Sequence, residues 1–172
     1  MGVLAALLLA VACGPAVIQR ALRQPNCNLQ GNAVPLMAQA VPTARFLPCI
    51  ASLPAGWTFE SNDIERARVR FWLDSDRAGI RALAVTLTRR CRPAGTEIPS
   101  DQPGERLFVH LDSVAPRYRG IRYYLLPGGC ITYDFNFPAE ESTLFSTDAS
   151  DAIDVVPRSK LERIAKSYGY RI

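Results

Sequence analysis

Apolar and polar residues follow two different patterns along this chain. Residues 2–18 carry no charge and include the run Val3-Leu4-Ala5-Ala6-Leu7-Leu8-Leu9-Ala10-Val11-Ala12, whereas from Trp57 onward the two classes alternate. Strict alternation marks a half-buried strand, because successive side chains leave opposite faces. Val69, Phe71 and Leu73 alternate with Arg68, Arg70, Trp72 and Asp74; beyond the turn at 75–79, Leu83, Val85 and Leu87 take one parity and Ala82, Ala84, Thr86 and Thr88 the other. Folding the two about that turn pairs Phe71 with Leu83 and Val69 with Val85, which puts both apolar sets on one face. The same register sets Trp72 opposite Ala82, Arg70 opposite Ala84 and Arg68 opposite Thr86.

A second hairpin is predicted from residues 121–126 and 130–137, joined by Pro127-Gly128-Gly129 with glycine at a left-handed position. That loop pairs Leu125 with Ile131, Tyr123 with Tyr133 and Ile121 with Phe135, and sets Arg122 across from Asp134. A further strand runs from Arg106 to Val114 between the hairpins, after the Pro/Gly-rich stretch 92–104. The tail reads as helix at 140–149 and at 157–168, where Pro157 suits a first turn, Leu161, Ile164 and Ala165 form one stripe, and Gly169 is the stop. Hairpins followed by helices predict an α+β fold with an antiparallel β-sheet of about five strands and a C-terminal helix.

Before the sheet, residues 24–56 hold Pro25, Pro35, Pro42, Pro48 and Pro54, which deny a long helix or a central strand. Val34, Leu36, Met37, Val41, Phe46, Leu47 and Ile50 are too apolar for a free linker, so this proline-rich lead-in should clip onto the domain. The organisation is therefore an anchor or signal over 1–23, a lead-in over 24–56 and an α+β extracytoplasmic domain over 57–172. The first segment has three readings. A cleaved signal peptide lacks Lys or Arg at its start. Ala10-Val11-Ala12-Cys13-Gly14 is similar to a bacterial lipobox, with lipidation on Cys13. An uncleaved transmembrane span would be short, with Pro15 near its end and Arg20 and Arg23 beyond it.

The cysteines choose the compartment. Apart from Cys13 there are Cys27, Cys49, Cys91 and Cys130, with no Cys-x-x-Cys pair and a single histidine, so zinc spacing is absent. Two disulfides in an oxidising compartment follow. Cys27–Cys49 closes the lead-in on itself and Cys91–Cys130 joins one hairpin to the other. The net charge of +4 is too diffuse for a nucleic-acid binder, and 18 of the 20 basic residues are arginine.

Through Ser52-Leu53-Pro54-Ala55-Gly56-Trp57, Leu73-Asp74-Ser75-Asp76-Arg77-Ala78-Gly79 and Pro127-Gly128-Gly129-Cys130, the chain resembles uncharacterised, membrane-anchored or lipoprotein-like cell-envelope proteins of actinobacteria. The resemblance covers mainly residues 34–137. It implies an envelope address and supplies no activity.

Candidate chemistry is sparse. His110 lies in a strand with Phe108 and Asp112 on its parity, and no Gly-x-Ser-x-Gly elbow accompanies it. Asp74 and Asp76 fit a hairpin turn better than a calcium pair, and Asp148, Asp151 and Asp154 fit helix capping. Glu140 and Glu141 are adjacent and would point apart on a helix. No catalytic residue, metal or cofactor is assigned. The arginines group as Arg66, Arg68 and Arg70; Arg89, Arg90 and Arg92; and Arg117, Arg119 and Arg122. Arg68 and Arg70 beside Trp72 form the expected interface. The function expected is a tethered binding or accessory-subunit domain on the extracytoplasmic face of the plasma membrane, with a protein partner in a membrane complex and no nucleic acid. The alternatives are an envelope enzyme acting through Asp112, Asp134 or Glu140, and a lipid or small-molecule carrier with a cavity behind the sheet.

Overall fold

Proline shapes the entry to the fold. Pro35 occupies the first turn of helix α1 (Val34–Ala40), where its missing N–H costs nothing, and Pro48 sits inside strand β1 (Phe46–Ile50) of a small separate sheet. The computed structural model describes residues 23–29, 33–100 and 105–167. After β1 come β2 (Trp57–Glu65), β3 (Arg68–Ser75), β4 (Gly79–Thr88), β5 (Thr96–Ile98), β6 (Arg106–Ser113), β7 (Arg117–Leu126) and β8 (Gly129–Pro138). Helix α2 (Ser142–Asp151), strand β9 (Ile153–Pro157) and helix α3 (Arg158–Ser167) follow.

Seven strands form one antiparallel sheet in the order β2-β3-β4-β8-β7-β6-β5, and β1 pairs with β9 in a two-stranded sheet. The architecture is mostly antiparallel sheet with a C-terminal helix, with more strands than the alternation alone predicts. The alternation that begins at Trp57 is broken within β2 by a bulge between Phe59 and Ser61, which moves Phe59 and Ile64 onto one face although their parity differs, so the pattern does not mark β2 as a strand of its own. β1, β5 and β9 are too short for periodicity to reveal. Pro157 ends β9 and Arg158 starts α3, so the proline precedes the helix.

Both predicted hairpins form, and each has a shifted register. In the first, Ser75 pairs with Gly79 around the turn, and an irregularity containing Arg81 (φ +50°) then moves the ladder by two residues. Phe71 faces Val85, Val69 faces Leu87, Trp72 faces Ala84, Arg70 faces Thr86 and Arg68 faces Thr88. A two-residue shift preserves parity, so Val69, Phe71, Leu73, Leu83, Val85 and Leu87 all reach the core at 0% exposure.

The second hairpin departs further from the alternation. Leu126 pairs with Gly129 and Tyr124 with Ile131, so the connection is the two-residue Pro127-Gly128, with Gly128 at φ +75° as in the second central position of a type II turn. Relative to a three-residue loop, β7 is turned over. Tyr124 and Leu126 enter the core, Tyr123 and Ile121 face outward, and Arg122 lies opposite Tyr133. The expected Arg122–Asp134 pair does not form. Both parities of β7 carry large apolar residues, so hydrophobic pattern left the register open. Docking to the lead-in closes it: Pro127 O accepts the Arg45 N–H at 3.2 Å, and a Cβ on Gly128 would lie 1.9 Å from Thr43 O.

The core lies between the inner face of the large sheet and a layer built from the lead-in and the tail. Arg158 links them, donating to the carbonyls of Ala44 (2.7 Å), Ala38 (2.7 Å) and Val41 (2.9 Å), which satisfies acceptors at and beyond the end of α1. Disulfides join Cys27 to Cys49 and Cys91 to Cys130, the pairing expected. In the chain-entropy description, closures of these lengths stabilise by about 3 to 4 kcal/mol each.

Candidate functional site

Among the described residues, the outer face of the seven-stranded sheet is the surface left open, and cross-strand register assembles it in rows. One row runs Trp72, Ala84, Asp134, Ile121, His110; the next runs Arg70, Thr86, Thr132, Tyr123, Phe108. Trp72 sits against Ala84, so its indole has no large cross-strand neighbour. Two guanidiniums flank it instead, Arg70 at 5.9 Å and Arg81 at 4.7 Å from the ring centre. Arg70 Nε donates to Thr86 Oγ1 at 2.9 Å, and Arg81 Nη2 donates to Glu60 Oε1 at 3.2 Å. The Ser61 hydroxyl holds the Glu60 carboxyl below its ordinary value; burial, the next largest influence, opposes it, and Arg81 lowers it further.

The three residues expected to form an interface share this face, with unequal roles. Arg70 and Trp72 are half-buried and stacked, whereas Arg68 is exposed and spends its charge on Asp63 (3.3 Å) and Glu65 (2.9 Å) of β2. Arg81 is the member that sequence reading missed. It lies in the turn-proximal irregularity, and the two-residue ladder shift that brings it beside Trp72 has no signature in the hydrophobic pattern.

Across the middle of the face lies a mixed-charge cluster. Asp134 is exposed on this face, yet the side chains around it desolvate its carboxyl enough to push it above the ordinary value; Arg70 pulls it down, Asp112 pushes it up and Arg119 pulls it down. The Tyr123 hydroxyl is raised by desolvation and then by Asp112 and Asp134. His110 Nε2 lies 2.8 Å from Asp112 Oδ1. The fold thus brings together two of the three carboxylates singled out in the sequence, Asp112 and Asp134, while Glu140 is exposed beyond the end of β8. Arg122 leaves this face altogether, donating to Ser150 Oγ at 2.7 Å with its guanidinium 5.2 Å from the Phe135 ring centre.

Asp74 and Asp148 hold local structure. Asp74 Oδ1 accepts the Arg81 N–H at 2.7 Å, and Ser75 Oγ accepts those of Arg77 and Ala78. Asp148 pairs with Arg77 at 3.6 Å, and Asp154 faces Cys49 across the small sheet. Among the described residues, no three His, Cys, Asp or Glu side chains are disposed to hold a metal ion. Behind the sheet a cavity of about 300 Å³ is lined by Glu105, Tyr124, Tyr133, Ser150, Asp151 and Asp154, among others. Cys13 lies outside the described residues, and no described helix is long and apolar enough to cross a membrane. Comparison with protein-family models, curated proteins and solved structures finds no significant match to this chain.

Proposed function

We propose that this chain is a membrane-tethered, extracytoplasmic binding domain of the bacterial cell envelope that acts as an accessory subunit, holding a protein partner against the open face of its sheet. One observation carries the reading: Trp72 stands on that face flanked by Arg70 and Arg81 rather than in the core. An aromatic ring with guanidiniums alongside offers large area and several donors at modest entropic cost, the chemistry most often found at interface hot spots. The apolar run at residues 2–18, the two disulfides and the resemblance to actinobacterial envelope proteins support the address. The test is co-purification in mild detergent from the native membrane, comparing the wild type with Trp72→Ala/Arg70→Glu. The variant should keep its fold by circular dichroism and lose the partner; a folded variant that retains the partner would overturn the assignment of this face.

A second reading has its own observation. Asp112 raises the Asp134 carboxyl across the same face, and both raise the Tyr123 hydroxyl, with His110 against Asp112, as an envelope enzyme working through carboxylates would require. Loss of hydrolysis of isolated wall or lipid fractions in Asp134→Asn, with partner binding intact, would favour it. The acidic lining of the 300 Å³ cavity suits a small polar ligand better than an acyl chain, which weighs against a lipid carrier.

A further inference from the structure

A different surface, at one end of the large sheet, gathers cations that the open face does not use. The β2–β3 turn carries Arg66, the segment leaving β4 carries Arg89, Arg90 and Arg92, and Arg45 is tied by its backbone N–H to Pro127 O in the β7–β8 turn. All five are exposed. Two depressions meet there and share Arg89 and Arg90: one of about 480 Å³, walled by Thr43, Gly128 and the Cys91–Cys130 disulfide, and one of about 420 Å³, walled by Ala67 and Thr88. The disulfide pins the strand-exit segment to β8, so these guanidiniums are presented by a fixed backbone rather than a loose loop.

Carboxylates on the adjoining strands already have arginine partners, although Asp63 and Glu65 share one guanidinium and leave a single negative charge in excess. Asp63 and Glu65 are held by Arg68, and Glu97 by Arg106 at 2.8 Å. Among the described residues, none of the five arginines has an ion-pair partner. What remains is a net cationic end with concave footholds, whose forked donors fit phosphodiester oxygens.

We propose that this end docks on the anionic headgroup layer of the membrane that carries the tether, and so sets the orientation in which the domain presents its open face. The inference rests on the tether of the proposed function. Its partner is the lipid surface, because the cations are spread over three separate chain segments rather than converging on one enclosed pocket, and basic segments beside a membrane anchor are drawn to anionic lipid. The opposite end of the sheet offers the contrasting chemistry: Ile80, Val114 and Leu111 are 78%, 63% and 49% exposed in its turns and strand ends.

The experiment is hydrogen exchange of the full-length protein on vesicles of phosphatidylcholine alone and of phosphatidylcholine containing phosphatidylglycerol. Amides of 87–92 and 126–130 should exchange more slowly only where phosphatidylglycerol is present, and high salt should abolish the difference. Arg89→Glu/Arg90→Glu should weaken the preference for the anionic surface by roughly 30-fold or more, from the contribution of each arginine near such a surface. Equal exchange on both vesicles, protection that survives the double reversal, or protection of 76–82 and 111–117 instead would overturn the proposal. Retention on pure phosphatidylcholine reports the tether separately. A chain that fails to bind those vesicles yet shows phosphatidylglycerol-dependent protection refutes the tether and upholds the docking surface.

Discussion

Gly128→Ala tests the turn on which the composition of the open face depends, and Gly79→Ala is its control. Both glycines have positive φ, +75° and +104°, so alanine at either pays the left-handed penalty of about 1–2 kcal/mol. Nothing lies within 4 Å of a Cβ built on Gly79, so that penalty is its whole cost. On Gly128 the Cβ would fall 1.9 Å from Thr43 O, and the obstacle is backbone rather than a movable side chain. The turn must then lift away from the lead-in, and the Arg45 N–H to Pro127 O bond is lost, adding about 1–1.5 kcal/mol. Gly128→Ala should therefore cost about 2–3.5 kcal/mol, and with roughly 2–4 °C lost per kcal/mol in a domain of this size its melting temperature should fall by about 4–14 °C. The assay is far-ultraviolet circular dichroism on the full-length, oxidised protein in non-ionic detergent, melting both variants beside the wild type. If Gly128→Ala proved no more destabilising than Gly79→Ala, the turn would not be clamped to Thr43. The lead-in would then not be what fixes the register of β7, nor the outward placement of Ile121 and Tyr123 beside Asp134.

Asp134→Asn probes the centre of that face. Desolvation raises the Asp134 carboxyl in the folded state, so the native protein binds this proton more tightly than the unfolded chain. Its contribution favours folding below the ordinary carboxyl value and is lost as pH rises from there through the raised folded value. The asparagine variant should flatten this part of the wild-type pH–stability curve, measured by urea unfolding across the acidic range; a steeper loss with rising pH in the variant would show that Arg70 and Arg119 outweigh burial. Replacing Cys91 and Cys130 by serine, which opens a closure of 39 residues, should cost about 4 kcal/mol by the chain-entropy relation. An unchanged denaturation midpoint would mean that the bridge adds nothing the β4–β8 ladder does not already hold.

Sequence periodicity carried much of the fold because strands imprint their parity on residue type. Val69, Phe71 and Leu73 against Arg68, Arg70 and Trp72 name an inner and an outer face, and a two-residue shift leaves those faces unchanged. The pairing of Cys27 with Cys49 and Cys91 with Cys130, and the placement of Arg68, Arg70 and Trp72 on one face, were legible for the same reason: they depend on coarse neighbourhood or parity rather than on exact register. A local bulge erases parity, and that is why the alternation that begins at Trp57 did not resolve into a separate strand β2.

Tertiary structure alone decided the rest. On β7, Ile121, Tyr123 and Leu125 compete with Tyr124 and Leu126 for the core, so local hydrophobicity is balanced and cannot select a face. A contact distant in sequence, the Pro127-Gly128 turn against Thr43 and Arg45, breaks the tie and sends Arg122 inward to Ser150 while leaving Asp134 among Asp112, Tyr123 and Arg119. The flanking of Trp72 by Arg81 likewise depends on a backbone irregularity near the turn. Parity is a property of each strand and can be read from its residues; register is a property of two strands and whatever clamps their turn, and it exists only once distant segments have met.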